Sequence, residues 1–255
     1  MKYFFLLLLS LFLSAGSHAA KIVKVGAAVF PPYIVERNNG DLYIELLDVM
    51  NAFQDQYQFV VVASNPSRRF IDFDRGLFDV SFYDNLAWGW QGRSVEASPI
   101  FLRGCERYVA LKKAGRDQSF FAEFDKKRML GLRGYHYQFA QYNADPQYLL
   151  KHFRMIGSLN HDATLRQLKA GRGDIALLTE AYLLQKLASE PQLQDQLLIG
   201  TVPDQVYHHT VVVRKGTSPS AAEIGELLEK MERTGALQPL WQKYGTGHAC
   251  EKKRN

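Results

Sequence analysis

Apolar positions along this chain switch between a period of two and a period near 3.6, and the switches mark its elements. Lys21 to Ala27 reads as a strand, and Phe30-Pro31-Pro32-Tyr33 follows as an extended loop stiffened by its prolines. Tyr43, Leu46, Leu47, Met50 and Phe53 recur at helical spacing, which predicts a helix with one face in a core. Gln58 to Ala63 is the next strand, Pro66 opens a second helix ending near Arg75, and Phe78 to Tyr83 returns as a strand. Further on, strands at Arg128 to Leu132 and Asp174 to Leu178 alternate with helices at Asp162 to Ala170 and Glu180 to Ala188. Two helices, Ser220 to Arg233 and Leu237 to Tyr244, complete the pattern. Strands alternating with amphipathic helices define an α/β chain.

One fragment of this pattern occurs twice. Gly76-Leu77-Phe78-Asp79 and Gly171-Arg172-Gly173-Asp174 each stand between a helix and a strand, so each first glycine is expected to end its helix in a left-handed cap. The echo points to two lobes of similar build. Two β-rich runs, Arg107 to Lys112 and His209 to Arg214, lead into turn-forming residues and are the expected crossings between them. The division predicted is a leader at 1–19, a first lobe formed by 20–111 together with 210–255, and a second lobe at 112–209.

Lys2, the apolar run Tyr3 to Leu13, and the small residues Ser14 to Ala20, with Ser17 and Ala19 preceding a cut after Ala19, predict the leader. The run is shorter than the ~20 apolar residues of a spanning helix, so it reads as a secretory signal and places the protein in the periplasm. Aromatic residues at 13% and only 9 prolines favour packed cores over disorder. The net charge of +5 is spread along the chain, and the one basic run is the tail Lys252-Lys253-Arg254. No basic stripe falls on one element, which argues against nucleic acid as a partner. In an oxidising compartment the pair Cys105 and Cys250 favours a disulfide over two free thiols, one that would pin the tail to the middle of the first lobe. Their spacing fits no zinc or redox motif, so no metal or cofactor is expected.

Several segments together carry a family likeness. They are Val25-Gly26-Ala27 with Phe30-Pro31-Pro32-Tyr33, then Gly76-Leu77-Phe78-Asp79, Leu130-Gly131-Leu132-Arg133-Gly134-Tyr135-His136, Leu168 to Ala176, and Gly235 to Gly245. In order and spacing the chain resembles the family 3 periplasmic solute-binding proteins, which include binders of polar amino acids. The resemblance implies a two-lobe periplasmic binding protein fold, each lobe a sheet flanked by helices, joined by two hinge strands. It also implies a small polar ligand in the cleft, a monomer, and a partner that is an ABC permease or a membrane sensor.

The resemblance also nominates residues. Phe30 falls where the family lays an aromatic ring over the ligand, and Tyr33 ends the same loop. The loop Tyr83 to Arg93 carries Asp84 and Asn85 where small hydroxyl residues are usual, then Trp88 and Trp90. Arg93 matches the arginine that grips a ligand carboxylate, a role suited to a guanidinium fork. Gly134, Tyr135 and His136 match a helix start whose amides receive that carboxylate. Thr179 stands where an aspartate would receive the ligand ammonium, with Glu180 next to it. Thr179 and Glu180 also suit an ordinary helix start. The alternatives are a dehydratase of the cyclohexadienyl type on the same scaffold, with Glu180 and His136 as acid and base, or a stand-alone sensing module. Against an enzyme, Gly-x-Ser-x-Gly and His-Glu-x-x-His are absent and the 7 histidines are scattered.

Overall fold

The structure is a computed structural model that describes residues 19–28, 30, 31, 33, 34, 42–124, 126–246 and 250. The leader up to residue 18 and the basic tail lie outside the described residues. The elements, in chain order, begin with β1 (Lys21–Ala28), α1 (Leu42–Phe53), β2 (Tyr57–Ser64), α2 (Arg69–Asp74), β3 (Val80–Asp84), β4 (Val95–Ala97) and β5 (Leu102–Leu111). Then come β6 (Met129–Leu132), α3 (Pro146–Phe153), β7 (Ile156–Ser158), α4 (His161–Lys169), β8 (Ile175–Thr179), α5 (Glu180–Ser189) and α6 (Leu193–Gln196). The chain continues through β9 (Leu197–Arg214), α7 (Ala221–Arg233) and α8 (Gln238–Tyr244).

The strands form one sheet in the order β2-β1-β3-β9-β5-β8-β6-β7, with β4 also on β9. β1 pairs in parallel with β2 along its whole length, and β6 pairs in parallel with β7 and β8. β9 runs antiparallel to β3 on one side and to β4, then β5, on the other. It therefore belongs to both halves of the sheet.

The cores divide accordingly. Val23, Val25, Phe59, Val80, Phe82, Val211 and Val213 pack against Leu46 and Met50 of α1 and against Ile224, Leu228, Leu240 and Trp241 of the two C-terminal helices. The other half of the sheet is buried on both faces: Ile175 and Leu177 face one cluster, Ala176 and Leu178 another. That is why β8 reads as a continuous apolar run with no alternation.

Local chemistry explains the boundaries. Both echoed glycines are left-handed, with φ of 72° at Gly76 and 69° at Gly171. In each case the glycine amide and the next one close on the preceding helix, Gly76 N to Phe73 O and Leu77 N to Asp72 O in the first instance. α2 starts at Arg69 and not at Pro66, because Asn65 holds residues 67 and 68 in a turn through its side-chain oxygen. α3 escapes the periodicity reading, although Asp145 caps it through the Tyr148 amide and Pro146 opens it. β9 begins at Leu197, well before His209. Pro203 reads as a breaker, but two register shifts opposite Glu106 and Arg107 absorb it.

Cys105 and Cys250 are bridged, with Cα atoms 5.8 Å apart. The bridge sits on β5, which pairs with β8 on one edge and β9 on the other, so it ties Cys250 to the middle of the sheet. It closes a loop with a sequence separation of 145. Replacing both cysteines by serine is expected to lower the unfolding free energy by about 2–5 kcal/mol. Urea titrations with and without reductant check this: reductant should destabilise the native protein to the same level and leave the double variant unchanged.

Candidate functional site

A cavity of about 40 Å³ lies between the two halves, lined from the first by Phe30, Pro66, Arg69, Ser81, Asp84 and Trp88. From the opposite side come Gly134, Tyr135, His136 and, on β9, Gln205 and Tyr207. Its volume leaves room for roughly three water molecules. The halves touch across it. Trp88 Nε1 donates to Gln205 Oε1 at 3.2 Å, and the Phe30 and Tyr135 rings lie 5.3 Å apart. A Cβ on Gly134, whose φ is 76°, would come within 2.9 Å of the Pro66 carbonyl carbon, so only glycine allows this approach.

Aromatic rings form much of the wall. Phe30 has Tyr33 at 5.0 Å, Tyr207 and His209 at 5.6 Å, and Trp88 at 6.0 Å between ring centres. The loop carrying Phe30 is pinned by reciprocal hydrogen bonds between the backbones of Phe30 and Ile34. Tyr83, at the end of β3, has φ of 53°, an uncommon conformation for a bulky residue, and there the register against β9 shifts.

The residues nominated from sequence separate into two groups. Phe30, Asp84, Trp88, Gly134, Tyr135 and His136 line the cavity. The others do not. Tyr33 is fully buried and stacks on Tyr83, and Asn85 ties its loop to β9 by donating to the His208 carbonyl. Trp90 packs between Phe70 and Phe73.

Arg93 requires a correction. Its Nε and Nη2 each donate to Asp74 at 2.9 Å, its Nη1 donates to the Gly89 carbonyl, and its guanidinium covers the Phe70 ring. The fork is filled by a carboxylate of the protein itself and lies outside the cavity lining. The cavity's arginine is Arg69, whose Nη2 donates to the Trp88 carbonyl at 2.7 Å and lies 3.8 Å from Asp84. Its Nε is buried with no hydrogen-bond partner among the described residues. A signal existed in the sequence: Arg68 and Arg69 stand at a helix start, where the dipole disfavours cations.

Residues 134–136 also depart from expectation, for no helix starts there. The amides of Gln138 and Phe139 instead donate to Asp204, which also accepts from the Tyr108 hydroxyl at 2.6 Å. Thr179 is fully buried and bonded to His161 Nε2 at 2.7 Å. Glu180 pairs with Arg107 at 2.6 Å and accepts the Cys250 amide at 2.7 Å, so it braces the disulfide and does not meet His136 in the cavity. His136 is itself bonded through Nδ1 to the Tyr142 carbonyl.

Glu106 went unnoticed in the sequence. It is fully buried, and neither carboxyl oxygen has a hydrogen-bond partner among the described residues. Burial, and then the nearby Asp204, push its pKa well above the usual carboxylate range. Burial likewise holds His209 and His161 down to about 3 and, with Arg69 adding its charge, His136 to about 4.

This architecture is that of the two-lobe periplasmic binding proteins, the fold of the family 3 solute-binding proteins. The glutamate-bound GluR0 ligand-binding core from Nostoc punctiforme is similar, with a TM-score of 0.68 at 13% identity over 87% of this chain and 98% of that one. An ancestral arginine-binding protein bound to arginine gives 0.65 at 18% identity, over 89% and 99%. An ancestral amino acid-binding protein described as a precursor of cyclohexadienyl dehydratase gives 0.64 at 14%, over 88% and 95%. No protein-family model matches the sequence, and no curated protein matches it either. Among the described residues no helix is long and apolar enough to cross a membrane.

The buried titratable groups set a pH profile. Below pH ~6.5 an unfolded chain protonates histidines that the fold keeps neutral, so each buried histidine costs about 1.4 kcal/mol per pH unit until its native pKa is reached. Glu106 acts in reverse: the native state keeps a proton that the unfolded chain loses above pH ~4.3, so its contribution falls as pH rises. The opposing slopes place maximum stability near pH ~6.5. Urea unfolding from pH 4.5 to 8 checks this, and His209→Phe is expected to flatten the acid limb by about one proton.

Proposed function

We propose that this chain is an exported solute-binding protein that closes its two lobes on a small polar molecule, amino-acid-like or a carboxylate. The observation that carries the reading is the cavity itself, enclosed by residues of both lobes and combining aromatic faces with Arg69, Asp84 and Gln205. Aromatic faces supply contact area, and a few placed polar groups orient a ligand. In the closed form the cavity is far smaller than an amino acid, so entry requires the lobes to part and the wall rings to turn aside. A ligand that binds the closed arrangement better then shifts the population toward it.

Export follows from the leader in the sequence, and delivery to an ABC permease or a membrane sensor follows from the resemblance. The similar solved structures include a ligand-binding core in complex with glutamate and an arginine-binding protein bound to arginine or to glutamine, which supports binding over catalysis. Glu180 and His136, the pair an enzyme would have used, are engaged separately.

A thermal-shift screen against amino acids, polyamines, dicarboxylates and prephenate-like acids tests the reading. A ligand at 100-fold its Kd should add about 2.7 kcal/mol of apparent stability. Flat melting curves throughout would count against solute binding, and consumption of a prephenate-like acid would count against binding alone. Arg69→Met should weaken a hit at least tenfold, whereas Arg93→Met should leave its affinity within about twofold while costing some stability. Gly134→Ala, forced against Pro66, is expected to hold the lobes apart, which small-angle scattering would register as a larger radius of gyration.

A further inference from the structure

We propose that Glu106 is the partner for a cationic group of the solute, so that the ligand carries an ammonium or a similarly small organic cation. This rests on reading the cleft as a solute site. On β5, Gly104 lies opposite Tyr207 and Glu106 opposite Gln205, while across the other edge Glu106 faces Thr179. Residues directly opposed in an antiparallel pair leave the sheet on the same side. Because Gln205 and Tyr207 line the cavity, Glu106 leaves the sheet toward the cleft.

The floor on that side is polar and unsatisfied. The hydroxyls of Tyr33 and Tyr207, like both oxygens of Glu106, are buried without a hydrogen-bond partner among the described residues. A Cβ on Gly104, two residues before Glu106, would lie 2.6 Å from the Tyr33 hydroxyl and 3.2 Å from His209 Nε2, so Tyr33 and His209 meet over this glycine. Buried polar groups are normally bonded, so such a concentration calls for a further partner.

That partner's charge follows from the surroundings. The cations close by are committed: Arg107 to Glu180, and Arg69 to the Trp88 carbonyl beside Asp84. Asp204 and the phenols of Tyr33, Tyr108, Tyr135 and Tyr137 lie within electrostatic reach of Glu106, and none is a cation. Thr179 and Gln205, its cross-strand neighbours, are neutral. His209 and His161, held neutral by burial, bring no positive charge. Rings of Phe30, Trp88, Tyr135 and Tyr207 enclose the approach, and their faces attract cations. Burial favours the protonated form of Glu106; an incoming cation favours the carboxylate, and the proton displaced leaves to solvent.

The test is calorimetric titration of the full mature chain with putrescine, L-lysine, L-arginine and choline, and with succinate and glutarate as anionic counterparts. Runs at pH 6 and pH 8, in two buffers of different ionisation enthalpy, count the protons released. At least one cation is expected to bind, with affinity rising by up to about tenfold per pH unit and about one proton released. Glu106→Gln should weaken that cation at least tenfold and abolish the release. Glu106→Met, apolar and of similar length, supplies the comparison if the amide variant misfolds. Equal affinity in a folded Glu106 variant, or binding by succinate or glutarate alone, would overturn the assignment while leaving a solute-binding protein. Silence from every probe would overturn the solute reading and this assignment with it.

Discussion

Strand β9 runs 18 residues from Leu197 to Arg214, and both lobes hydrogen-bond to it. Much of the molecule depends on that sharing. A strand that belongs to two cores cannot leave either without breaking ladder bonds. Gln205 and Tyr207 of the same strand line the cavity. Gly104 and Glu106 of β5 stand opposite Tyr207 and Gln205 of β9, on one face of the sheet. The alternate positions on β5 are Cys105 and Arg107, which hold the tail through the disulfide and through Glu180. Bracing one face of the crossing fixes the geometry of the other.

The cleft itself is closed and largely filled by its own side chains. Phe30, Tyr33, Tyr83, Trp88, Tyr207 and His209 pack ring against ring, and the space remaining is about 40 Å³. Such packing stabilises closure without a ligand, while the buried Glu106, Arg69 Nε and tyrosine hydroxyls oppose it. A solute that satisfies those groups would remove that penalty and take over the contact area the rings now supply to one another. The balance between these terms decides how far the empty protein remains closed.

Much of the fold was legible in the sequence, because it rests on periodicity and punctuation. The left-handed glycines, Gly76 and Gly171, and the amphipathic faces of α1 and α7 are local signals. Site residues were less legible, since their roles depend on long-range pairing. Arg93 carried the expected spacing, but Asp74 folds back within reach and occupies its fork. Arg69 does not announce itself by spacing, and it reaches the cavity only because α2 starts at that residue. Glu106 looked like one charge in a polar stretch. Only the register with Gln205 and Thr179 shows that it is sealed inside. The early half of β9 was hidden by Pro203, a local breaker overridden by tertiary pairing.

Hydrogen–deuterium exchange with and without a hit from the thermal-shift screen tests the central claim, that a solute binds between the lobes, most directly. Residues 66–70, 83–90, 134–136 and 204–209 come together only around this cavity. The account predicts that ligand slows exchange in all four segments at once. Protection confined to one lobe, or to a surface away from the cleft such as Ile100 to Arg103, would contradict it.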